Sequence, residues 1–148
     1  MQSTTPLRGP ISAEARARRR EIALETPRGP LPAIIVADRG GWEIALDRPD
    51  AVVLDLHADC IRRGTTRVHL TGRILPTLIR FALTRLAEGD ATRADLIAVV
   101  WADRRQPDPE AIGSVLSRAS AALRPVGLRI ISLWGGTVRL VASQRSLS

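Results

Sequence analysis

The sequence predicts an α+β fold: a small N-terminal antiparallel sheet, three helices and a C-terminal β-hairpin. Three observations predict it. Short β-branched segments separated by Asp, Gly and Pro fill residues 33–71. At Ile74 the hydrophobic pattern changes from strand-like to helical spacing. Two further strand-like segments, 128–133 and 138–141, are joined through Trp134-Gly135-Gly136-Thr137.

Taken in order, residues 33–38 (AIIVAD) and 42–46 (WEIAL) flank Arg39-Gly40-Gly41, which reads as a hairpin connection. Strand-like pieces follow at 51–57, 60–62 and 67–70. Ile74, Leu75, Leu78, Ile79, Ala82, Leu83 and Leu86 then form one apolar helical stripe, closed by Gly89, with Pro76 in its first turn. Thr92 with Asp95 three residues on is a capping box that uses Asp for Glu, and it opens a second helix through Leu96, Ile97, Val100 and Trp101. Asp108-Pro109 opens the third. Its apolar side is Ile112, Val115, Leu116, Ala119 and Leu123, which leaves Glu110, Gly113, Ser114, Ser117, Arg118 and Ala121 on the exposed side.

Residues 1–30 read as a flexible arginine-rich tail. Prolines 6, 10, 27 and 30 punctuate it, and residues 12–25 could form one charged helix carrying Arg16, Arg18, Arg19 and Arg20. The tail is either a solvated arm or a binding arm for DNA or a partner. The expected division is tail 1–30, an additional hairpin 31–50, a main domain 51–143 and a short tail 144–148.

Charge bounds the function. The chain has 22 arginines, no lysine and 15 acids. Residues 1–66 hold 10 arginines against 9 acids, and residues 67–148 hold 12 against 6. The excess therefore sits in the second half, as a polyanion-binding domain would have it. A lysine-free chain excludes a P-loop and any Schiff-base enzyme. One cysteine, Cys60, cannot make an internal disulfide. No apolar run is long enough to span a membrane, and residues 1–10 lack a signal peptide's apolar stretch, so the cytoplasm is the expected compartment.

Other chemistries fare poorly. Asp55 lies in a stretch like the phosphoacceptor strand of a receiver domain, but the paired acids for Mg²⁺ and the lysine are missing. His57, Asp59, Cys60 and His69 stand near one another in sequence, but one cysteine and two histidines fall short of the four Cys and His ligands a zinc site usually has. Neither a metal, a cofactor nor an enzymatic activity is expected.

Three helices followed by a hairpin is the order of a winged helix-turn-helix. Thr92-Arg93 followed by Leu96 and Trp101 resembles the second helix of OmpR-type response-regulator effector domains. Leu116-Ser117-Arg118 with Leu123 is similar to that family's recognition helix, and residues 130–140 resemble its wing at Gly135, Arg139 and Leu140. Leu54-Asp55, Arg62-Arg63-Gly64 and Leu70-Thr71 fall where the family has its N-terminal sheet. The resemblance covers about residues 51–141, without a receiver domain. It implies a transcriptional regulator that binds double-stranded DNA, with the helix at about 109–123 in the major groove and the wing 128–141 on the backbone or minor groove. Ser114, Ser117 and Arg118 would meet bases, Arg93, Arg124, Arg129 and Arg139 would hold phosphates, and Trp134 would sit on the wing. Glu110, residues 119–122 and Trp134 depart from the family pattern. They keep open an alternative, a protein-interaction module that binds RNA polymerase or another regulator. A homodimer is compatible with either.

Overall fold

The computed structural model describes residues 19–103 and 105–142. Five strands form the first sheet: β1 (Arg19–Thr26), β2 (Gly29–Val36), β3 (Val52–Asp55), β4 (Cys60–Arg63) and β5 (Thr66–His69), side by side in that order. Helix α1 (Gly41–Asp47) lies between β2 and β3. Then come α2 (Ile74–Glu88), the two-residue strand β6 (Ala91–Thr92), α3 (Arg93–Val100), α4 (Pro109–Leu123), a 3₁₀ turn (Arg124–Val126), β7 (Leu128–Leu133) and β8 (Thr137–Ala142). The last three strands make a second sheet in the order β6-β8-β7. The chain is α+β, as its sequence pattern predicts.

The N-terminal third departs from the sequence expectation in three ways. Residues 19–26 are not part of a charged helix in a tail: they pair antiparallel with β2, and Leu24 is only 2% exposed. Ile22 and Leu24 alternate with the exposed Glu21, Ala23 and Glu25, a period of two that a half-buried edge strand requires. Arg19 and Arg20 thus belong to β1, while Arg16, Arg18 and the rest of 1–18 lie outside the described residues. Residues 42–46 are not the second strand of a hairpin but the body of α1. The reason is topological. β2 and β3 run parallel, Ala33 to Val52 through Val36 to Asp55, and a parallel pair needs a crossover on the sheet face. The sheet is therefore mixed rather than purely antiparallel, and it runs without a break across the expected boundary at residues 50–51. Pro30 and Pro32 are tolerated because the β3 ladder starts only at Ala33.

The two faces of the first sheet differ. Leu24, Leu31, Ala33, Ile35, Val52, Leu54 and Ile61 face one continuous core with α2, α3, α4 and the second sheet. Arg63 ties this side to the 3₁₀ turn by donating to the Val126 carbonyl at 3.0 Å. Ile34, Val36, Val53 and Ala51 point the other way and form a small cluster with Ala45 and Ile44 of α1. Gly41 marks the closest approach, since a Cβ there would run into the Asp55 carboxylate.

The helices follow their stripes. Leu75, Leu78, Ile79, Ala82, Leu83 and Leu86 of α2 are buried, with Phe81 added. On α4 the five expected apolar positions are buried, with Ala122 added. Trp101 lies in the core. No helix among the described residues is long and apolar enough to cross a membrane.

Candidate nucleic-acid interface

The surface of interest is built from α3, α4 and the β7–β8 hairpin. Thr92 caps α3 as the sequence predicts: its hydroxyl accepts from the Asp95 N–H at 3.1 Å, and its own N–H donates to Asp95 Oδ2 at 3.1 Å. The Thr92 backbone N–H first, and then the Thr92 side chain, hold the Asp95 carboxyl below its ordinary pKa. The cap fixes Arg93, the first residue of α3, against the hairpin. Its N–H donates to the Gly136 carbonyl at 2.8 Å and its Nη2 to Ser132 Oγ at 3.2 Å.

Helix α4 presents Glu110, Ser114, Ser117, Arg118 and Ala121 to solvent, with Gly113 half-buried among them. Small side chains leave its backbone approachable, and Arg118 is the single long cation on that side. The seating of α4 depends on Ser120. Its hydroxyl accepts from the Ile130 N–H at 3.1 Å and donates to the Ile130 carbonyl at 2.8 Å. Strand β7 is an edge of its sheet, so those two backbone groups would otherwise lack a partner. Sequence reasoning treats Ser120 only as part of the departure at residues 119–122; a hydroxyl on the border between the apolar and polar sides of an amphipathic helix is the available signal.

The hairpin turns through Gly135 and Gly136, whose φ values of +83° and +77° exclude most side chains. Trp134 at its tip is 100% exposed. A tryptophan this exposed offers a large apolar surface with a polar N–H to whatever docks there. Arg93, Ser132, Leu133, Trp134 and the two glycines line one shallow depression of about 410 Å³.

The predicted site residues thus fall into separate groups. Ser114, Ser117 and Arg118 share a helix side; Arg93 and Trp134 share the depression. Arg129 and Arg139 stand on the same, outward face of the hairpin, because Arg139 pairs with Ile131 and Arg129 with Val141. Arg124 is exposed at the far end of α4. Arg139 is already engaged: its Nε and Nη2 meet the Asp90 carboxylate at 2.9 and 2.8 Å, and those bonds hold the Asp90 pKa down. It is a strut between β8 and the end of α2 as much as an available cation, a partnership that the sequence separation of 49 residues conceals.

Among the described residues no group of three or more His, Cys, Asp or Glu gathers to hold a metal ion. No family model matches the chain, and no curated protein matches it.

Proposed function

We propose that residues 51–143 form a winged helix that binds double-stranded DNA, with α4 as the recognition helix and residues 128–141 as the wing, in a regulatory rather than an enzymatic role. The observation that carries the reading is α4 itself. Its apolar side is sealed in the core while its opposite side offers small residues around Arg118. In a major groove, Ser114 and Ser117 permit close approach and Arg118 offers a two-pronged donor to guanine. Arg93, Arg124 and Arg129 supply phosphate contacts, and Arg139 does so only while keeping Asp90. The net positive charge of residues 67–148 supports the same partner.

A second reading rests on Trp134. An exposed indole just before two glycines, with Glu110 at the start of α4, fits a module that docks on RNA polymerase or another regulator. The readings separate in a salt series with labelled duplex DNA. DNA binding predicts affinity falling steeply with salt, as displaced counterions require. Absence of binding at low salt overturns the first reading and leaves the second.

A further inference from the structure

Outside that surface, the sheet face under α1 carries a second cationic feature. Arg62 on β4 has a side chain only 9% exposed, and its Nε has no hydrogen-bond partner among the described residues. The nearest acid, Asp55, keeps its Oδ2 3.9 Å away. Its Oδ1 is occupied by the N–H groups of His57 and Ala58 at 3.0 and 2.9 Å. The guanidinium lies over the Trp42 ring at 4.9 Å, and Trp42 is 40% exposed. Directly across the β4–β5 ladder from Arg62 stands Arg67. Facing positions of a ladder put side chains on the same side about 5 Å apart at Cβ, so two like charges oppose each other at a cost in stability. Burial, with the charge of Asp55, raises the Cys60 thiol pKa, and the charge and side-chain hydrogen bond of Arg62 and the charge of Arg67 oppose that rise. Both guanidiniums therefore act on one patch. An open cleft of about 590 Å³ is lined by Trp42, Arg62, Thr65 and Arg67.

A buried, incompletely paired arginine is expensive unless an anion completes it. Two guanidiniums supply charged N–H donors, Thr65 a hydroxyl, and Trp42 an apolar wall. We infer that this cleft is a binding site for a small phosphate-bearing ligand, with Arg62 and Arg67 on the phosphoryl oxygens, Thr65 beside them and the Trp42 indole along whatever the phosphate carries. The inference is independent of DNA binding by α4.

Isothermal titration of the full chain at constant ionic strength tests it, with inorganic phosphate and a nucleoside monophosphate as the two probes and chloride as the balancing salt. Saturable binding of phosphate is expected. Tighter binding of the nucleotide identifies a ligand that also uses Trp42, and equal binding identifies the phosphate alone. Because Arg67 is exposed, Arg67→Gln should stay folded and bind about tenfold or more weaker, the loss of a charged hydrogen bond. A chain with Arg93, Arg118 and Arg129 changed to Gln should bind phosphate unchanged. No saturable heat with either probe overturns the site. So does undiminished binding in Arg67→Gln, or loss of binding in the triple variant alone.

Discussion

Arg62 and Arg118 are the same residue in opposite surroundings. Arg62 is withdrawn from water beneath α1, against an aromatic ring and a carboxylate too distant for a hydrogen bond. Arg118 stands in solvent on α4. Desolvating the first is a cost carried by the folded state, whereas the second costs the fold nothing and gains energy only when something binds. Net charge summed along the sequence points at residues 67–148, yet the most deeply buried guanidinium among the described residues belongs to the nearly neutral first half. Charge that is counted and charge that is available are different quantities, and only the surroundings separate them.

The largest expected effect breaks the pairing around Arg62. Asp55→Ala removes the one carboxylate near a buried guanidinium and two backbone bonds, and should cost about 3–5 kcal/mol in a denaturant titration. Arg118→Ala should stay within about 0.5 kcal/mol of the parent chain. Equal losses in the two variants would erase the distinction between the regions.

A smaller effect sharpens the α4 side. Gly113 has open space around the position of a Cβ and no positive φ, so nothing among the described residues requires glycine there. Gly113→Ala should stabilise α4 by about 0.5–1 kcal/mol. If α4 seats against a groove, the added methyl weakens DNA binding while it strengthens the fold. Affinity that rises along with stability argues against close backbone approach at this turn.

The smallest effect concerns acid. Asp90 and Asp95 both titrate below their ordinary value, through Arg139 and through the Thr92 cap respectively. A carboxyl whose folded pKa is depressed stabilises the fold above its unfolded pKa, near 3.9, and loses that contribution as pH falls through the lower folded value. The pair's contribution to the melting temperature should therefore be fully present and constant between about pH 7 and 5, and be lost as the pH drops below about 4. Asp90→Asn together with Asp95→Asn should flatten that acid limb; an unchanged limb removes these two bonds from the account.

Much of the C-terminal two-thirds was legible because its signals are local. Leu78, Ile79 and Leu86 on α2, and Ile112 through Leu123 on α4, repeat at helical spacing, and Thr92 with Asp95 marks a helix start within four residues. The segment WEIAL was misleading because alternation over five residues suits a strand as well as one turn and a half of helix. What made it a helix was the parallel pairing of β2 with β3, a long-range fact. Ile22 and Leu24 were hidden by the arginines and glutamates around them. The groupings on the surface were least legible. Ser120 with Ile130, Arg139 with Asp90 and Arg62 with Arg67 and Trp42 are all made by tertiary packing. The sequence brought Ser114, Ser117 and Arg118 together only because they share one helix side.

The central claim is that the exposed side of α4 meets DNA bases, and binding of Arg118→Ala tests it most directly. The measurement is affinity of the full chain and the variant for selected and random duplexes across the same salt series, with circular dichroism showing that both are folded. The account predicts a loss of about 1–3 kcal/mol on the selected duplex and a smaller preference over random sequence. Trp134→Ala, measured beside it, should weaken binding with little change in salt slope. Unchanged affinity and preference in Arg118→Ala, with Trp134→Ala losing capture of RNA polymerase or another regulator, would contradict the claim and assign the surface to a protein partner.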